Sequence, residues 1–127
     1  DLKPDNVMVQ SGENLRLIDF GAVLEIQEDQ KDTGPLFGTR GYAAPEQFIR
    51  GQTVDARTDI YGLGVTLYQL LTNKDPCEFP CKEYSIRDWN RSLPRRLDKI
   101  IQKCTKENPK ERYPSCEKLR QELCSLM

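Results

Sequence analysis

A chain of 127 residues is long enough for one hydrophobic core and too short for two. Nineteen Lys and Arg against twenty Asp and Glu leave a net charge of −1, so no long-range field draws it toward nucleic acid or an anionic membrane. The longest nearly apolar run, Ile60 to Leu71, falls short of the roughly 20 residues that span a bilayer, so no membrane contact is expected from this segment.

The first stretch, DLKPDNVMVQ, packs two aspartates, a lysine and an asparagine ahead of a β-type run. VMVQ and LRLI flank SGEN, whose Ser, Gly and Asn suit a tight turn, so a hairpin is expected over residues 7–18. Residues 22–43 hold few large apolar groups and several breakers, Gly34-Pro35 among them, which predicts a long loop of the kind that usually carries function. From Thr58 to Thr72 the apolar residues Ile60, Leu63, Val65, Leu67, Leu70 and Leu71 surround the helix, predicting a core helix covered on several sides. Asp55 or Thr58 is the expected cap, Asn73 the expected end, and Gly62 and Gly64 permit close approach of neighbouring backbone.

Residues 74–92 are irregular, with Trp89 expected as a packing anchor. Leu97, Ile100, Ile101 and Cys104 then recur at helical spacing, in a helix that Asn108-Pro109 should terminate. A last helix follows Ser115, a favourable N-cap, with Cys116, Leu119, Leu123 and Leu126 on its buried side. Five cysteines and no histidine suggest reduced thiols in a cytoplasmic protein. Cys77 and Cys81 have metal-like spacing, but no second close pair or imidazole completes a tetrahedral site.

The hairpin has a chemical consequence. Asn6 stands just before its first strand and Asp19 just after its second, so antiparallel pairing brings the two toward each other. Such oxygen donors suit Mg²⁺, commonly held by one or two protein groups plus substrate phosphates. Asp1 arrives at the same end and can act as a base, while Lys3 supplies a cation for phosphate oxygens. These charges fit phosphoryl transfer. The plain alternative is a solvated turn, which Asp, Asn and Pro favour without catalysis.

DLKPDN resembles the D-L-x-x-x-N end of the protein-kinase catalytic loop, DFG at 19–21 the metal-binding motif, and APE at 44–46 the close of the activation segment. Over essentially its whole length the chain is similar to the C-terminal lobe of a protein kinase. VDARTDIYGLGVTLYQLLT and ENPKERYPS look especially like bacterial eukaryotic-like serine/threonine kinases. The resemblance implies a mainly α fold, a helical body with a small β-hairpin carrying the catalytic and metal-binding loops. It divides the chain into a catalytic loop at 1–6, a hairpin at 7–18, an activation segment at 19–46 and a helical subdomain at 47–127.

It also implies roles. Asp1 would be the catalytic base and Lys3 the lysine that steadies the transferred phosphate, while Asn6 and Asp19 would hold the metals. Phe20 would set whether Asp19 faces inward. Thr39 resembles the threonine of the substrate-docking loop, and Thr33 is a candidate activation-loop phosphosite, though acidic Asp29 and Asp32 stand close by. Glu46 and Arg112 match a buried ion pair of the family, and Asp59 the core-helix aspartate that bonds the catalytic-loop backbone.

The implied function is serine/threonine protein kinase, with ATP and Mg²⁺ (or Mn²⁺) as cofactors and proteins as substrates. Two other readings stand beside it: a pseudokinase that only binds, and a small-molecule phosphotransferase of the aminoglycoside type, against which the DFG…APE segment speaks. The family's N-terminal lobe, with its glycine-rich loop, has no counterpart among these residues. The chain is therefore expected to be part of a longer protein and inactive alone, with the missing N-lobe as its partner; the parent could be membrane-anchored elsewhere.

Overall fold

A computed structural model of the chain describes residues 3–4, 7–9, 15–17, 41–49, 51–78 and 83–126, with backbone alone at 7–9 and 15–17. Strands β1 (Val7–Val9) and β2 (Leu15–Leu17) pair antiparallel with Val7 opposite Leu17 and Val9 opposite Leu15. These paired strands fall within the hairpin expected over residues 7–18. Three helices form the body: α1 (Ala56–Thr72), α2 (Arg95–Cys104) and α3 (Cys116–Cys124). Short 3₁₀ turns stand at Pro45–Phe48, Ile86–Asp88 and Pro109–Glu111. Among the described residues no helix is long and apolar enough to cross a membrane.

Helix α1 starts where a reciprocal cap satisfies its free amides. The Asp55 carboxylate accepts from Arg57 N at 2.9 Å, and Thr58 Oγ1 accepts from Asp55 N at 3.3 Å. It ends at Asn73, which takes the left-handed conformation at φ 57° and donates its amide to Gln69 O at 2.7 Å. Between these ends α1 feeds three apolar clusters. Ile60 meets Ile100, Cys104, Tyr113 and Leu119; Tyr61 and Val65 meet Tyr42 and Ala44; Tyr68 meets Ile86 and Ile101. Each large apolar side chain buried in this way contributes roughly 1.5–3 kcal/mol. Tyr84 links two clusters through edge-on contacts with Tyr61 and Tyr68, at centroid distances of 6.4 and 5.1 Å.

The cover is not complete. Leu70 is 66% exposed, because it faces away from all three clusters while Leu67 and Leu71 pack against one of them. The buried stripe of α3 likewise begins at Leu119, one turn in, and leaves Cys116 exposed. Trp89 is 47% exposed, so its anchoring is polar: Nε1 donates to Tyr68 Oη at 2.7 Å, and Lys74 Nζ sits 4.6 Å from the ring centre.

Helix α2 stops at Cys104, earlier than Asn108-Pro109 would require. Thr105 closes it with its hydroxyl on Ile101 O at 2.9 Å. Beyond it the carbonyls of Lys106 and Glu107 turn to accept from the Arg112 side chain, a use that a continued helix would not allow. Asn108-Pro109 instead opens the next 3₁₀ turn, with the Asn108 side chain accepting from Lys110 N at 3.0 Å.

At Gly64 the backbone of α1 comes close to the end of α2. A Cβ there would lie 2.7 Å from Cys104 Cβ and 2.8 Å from Thr105 Cγ2. Gly64→Val is expected to cost about 2–3 kcal/mol by overpacking, read as a lowered thermal midpoint. An unchanged midpoint would show that the two helices part without strain.

Candidate functional site

The 3₁₀ turn Pro45–Phe48 carries Glu46 into the protein, where only 3% of the residue stays exposed. The Ala44 amide donates to Gln47 Oε1 at 2.9 Å, tying the turn to its own entry. Arg112, also 3% exposed, reaches Glu46 from 66 residues away. Its Nη1 donates to Glu46 Oε2 at 2.7 Å and its Nη2 to Oε1 at 3.0 Å, a two-pronged pair. The remaining donors are engaged too: Nη1 with Arg57 O at 2.9 Å, Nη2 with Glu107 O at 3.1 Å and Nε with Lys106 O at 2.7 Å. All five guanidinium N–H groups thus have acceptors, the condition under which a buried cation is tolerated. The guanidinium also lies 4.9 Å from the centre of the Tyr61 ring.

Thr58 adds a third member. Its hydroxyl donates to Glu46 Oε2 at 2.9 Å while accepting from Asp55 N, so the cap of α1 and the buried pair share one side chain. Burial pushes the Glu46 carboxyl up, but the hydrogen bonds from Arg112 and Thr58 and the Arg112 charge outweigh it and hold the pKa below the ordinary value. Cys104 shows the opposite case: burial pushes its thiol up to about 12, which makes it a packing group and no nucleophile.

The stretch before Glu46 is laid onto the same helix. Tyr42 and Ala44 pack against Tyr61 and Val65, and the Tyr42 hydroxyl donates to Gln69 Oε1. Gly41, at φ 95°, passes so near residue 77 that a Cβ would lie 2.7 Å from Cys77 Sγ. That combination of positive φ and contact leaves room for glycine alone.

Of the residues singled out in the sequence, Glu46 and Arg112 are brought together. Asp59 lies in the first turn of α1 and is exposed, and Lys3 is partly buried. Asp1, Asn6, Asp19, Phe20, Thr33 and Thr39 lie outside the described residues, as do Cys81 and most of the loop expected over 22–43. Among the described residues no cluster of His, Cys, Asp or Glu has the makings of a metal site. Sequence reasoning missed the second role of Thr58, which it read only as a cap, and the Tyr42–Gln69 pair. No local pattern pointed from Thr58 to Glu46 or from Tyr42 to Gln69.

A family model described as protein kinase domain matches residues 1–124. The chain is 36% identical over 138 residues to serine/threonine-protein kinase D of Synechocystis, an alignment covering 100% of this chain and 27% of that protein. It is 34% identical over 139 residues to serine/threonine-protein kinase PksC of Streptomyces coelicolor, covering 96% of this chain and 24% of the relative. To serine/threonine-protein kinase PknB of Mycolicibacterium smegmatis it is 32% identical over 137 residues, covering 97% and 22%. The chain therefore spans about a quarter of the length of these curated relatives. Among solved structures, the kinase domain of Mycobacterium tuberculosis PknI superimposes with a TM-score of 0.75 at 26% identity, over 100% of this chain and 46% of that one. A match this continuous, on a mainly α body with the motifs in order, means that the chain belongs to the protein kinase domain family and is similar to its bacterial, eukaryotic-like members.

Proposed function

We propose that this chain is the C-terminal lobe of a serine/threonine protein kinase that moves the γ-phosphate of ATP to serine and threonine hydroxyls of protein substrates. The observation that carries the reading is the buried Glu46–Arg112 pair, which fastens the end of the APE segment to the helical body at 2.7 and 3.0 Å. A segment fastened at that end, with Tyr42 and Ala44 laid along α1, is suited to receive a polypeptide. Asp1 takes the proton of the attacking hydroxyl as the new P–O bond forms and the bond to the ADP oxygen breaks. Lys3 steadies the phosphate in flight, Thr39 orders the docking loop beside it, and Phe20 keeps Asp19 turned inward.

The donor set agrees with the metal this chemistry uses. Asn6 and Asp19 offer the carbonyl and carboxylate oxygens that Mg²⁺ prefers, and the pairing of Val7 with Leu17 holds together the strands they flank. When bound, Mg²⁺ (or Mn²⁺) supplies positive charge to the phosphate oxygens. Thr33, in this reading, is a phosphosite whose added charge orders the segment. These residues contain no glycine-rich G-x-G-x-x-G stretch, and the reading makes transfer a property of the longer protein.

Given Mg²⁺-ATP and peptides whose acceptor is Ser, Thr or Tyr, the full-length protein is expected to phosphorylate the first two and not the third. EDTA is expected to stop the reaction. Transfer confined to tyrosine, or to an aminoglycoside hydroxyl, would overturn the reading.

A further inference from the structure

The net charge of −1 hides an uneven split. Residues 1–90 carry nine Lys and Arg against fifteen Asp and Glu, whereas residues 91–127 carry ten against five. The excess concentrates around α2: residues 91–106 hold six cationic side chains and one carboxylate, Asp98. That carboxylate is turned toward the protein, where it accepts from Ile86 N at 2.8 Å, Ser85 Oγ at 3.2 Å and Gln102 Nε2 at 2.9 Å. It therefore does little to offset the charge outside.

At 3.6 residues per turn, Arg95, Lys99, Lys103 and Arg96 fall on one arc of α2 about 100° wide. The apolar arc, Ile100, Ile101 and Cys104, lies beside it and is buried in the core. Arg96 donates to Ser125 O at 3.3 Å and lies 3.8 Å from Glu122, while Lys103 rests 4.5 Å from the centre of the Tyr113 ring. Arg95 and Lys99 form no ion pair among the described residues, and Arg91 and Lys106 extend the exposed cationic face at either end of the helix.

We propose that this face of α2 is a docking surface for acidic segments of the protein substrates. The partner's class rests on the kinase reading, whereas its charge follows from the face itself. A row of cations with its apolar neighbours already buried has no hydrophobic area to offer a greasy peptide or to insert into lipid. It offers charge complementarity, which adds encounter rate and selectivity at modest affinity.

The test uses the full-length protein and a fluorescent peptide with a polyglutamate tail, its binding followed by anisotropy. Affinity is expected to fall roughly tenfold in Arg95→Glu/Lys99→Glu, with a smaller loss in Arg95→Gln/Lys99→Gln, and to weaken as salt is raised. Phosphorylation of a substrate with a neutral tail is expected to be the same in wild type and both variants. Equal binding of the acidic peptide by wild type and both variants would overturn the proposal. So would retention on phosphatidylserine vesicles without peptide binding, which would make the face a lipid contact. Absence of phosphorylation of any substrate would count against the kinase reading, while the anisotropy would still decide the surface.

Discussion

Replacement of Arg112 by alanine is expected to lower the unfolding free energy by about 3–5 kcal/mol, a large part of what holds a domain of this size together. The loss has several sources. Glu46 stays buried as a carboxylate without its cation, and the carbonyls of Arg57, Lys106 and Glu107 lose their donor. Arg112→Lys should recover only part, because an ammonium cannot serve both carboxylate oxygens and three carbonyls from one position. Urea melts at neutral pH measure the difference, and an unchanged curve for Arg112→Ala would refute the assignment of the pair as a fastening.

The same pair sets a pH dependence whose sign follows from the direction of the Glu46 shift. A carboxyl with its folded pKa lowered contributes stability above its ordinary value of 4.5, and that contribution is lost as pH falls through the lower, folded value. In Arg112→Ala the hydrogen bonds and charge of the partner are gone while burial remains, so the Glu46 carboxyl moves upward from its wild-type position. The stability gap between wild type and variant should therefore narrow as pH drops below 4.5. A gap that widens on acidification would mean that the pair is not what the substitution removed.

How much of this was legible in the sequence varied with how local the cause was. The hairpin, the cap and end of α1, and the start of α3 depend on neighbouring residues and could be read from turn chemistry and capping preferences. The end of α2 could not: its carbonyls are diverted by Arg112, a demand that originates in Glu46, 66 residues from the arginine that meets it. Apolar periodicity also overstated the cover at Leu70 and Cys116, since a residue's place on a helix wheel does not show whether another element reaches it. Of the site, the ion pair was legible only through the family resemblance, because no local pattern links position 46 to position 112. Around Tyr84 and Ile86 the chain is held by tertiary contacts that no periodicity announces: Asp98 on the Ile86 amide, and Tyr84 between Tyr61 and Tyr68.

The largest effect on activity is expected at Asp1. A positioned general base typically accounts for roughly 100- to 10,000-fold in rate, and an amide cannot take the hydroxyl proton, so Asp1→Asn should reduce transfer by about that factor while leaving nucleotide binding intact. Intact-mass spectrometry of the full-length protein, incubated with Mg²⁺-ATP and a generic protein substrate beside its Asp1→Asn form, is the measurement that bears most directly on the assignment. Phosphate added to the enzyme or the substrate, and lost in the variant, is the expected result, and it would also locate any modified threonine such as Thr33. Nucleotide binding without transfer in either form would contradict it, and would make the protein a kinase-shaped binding module.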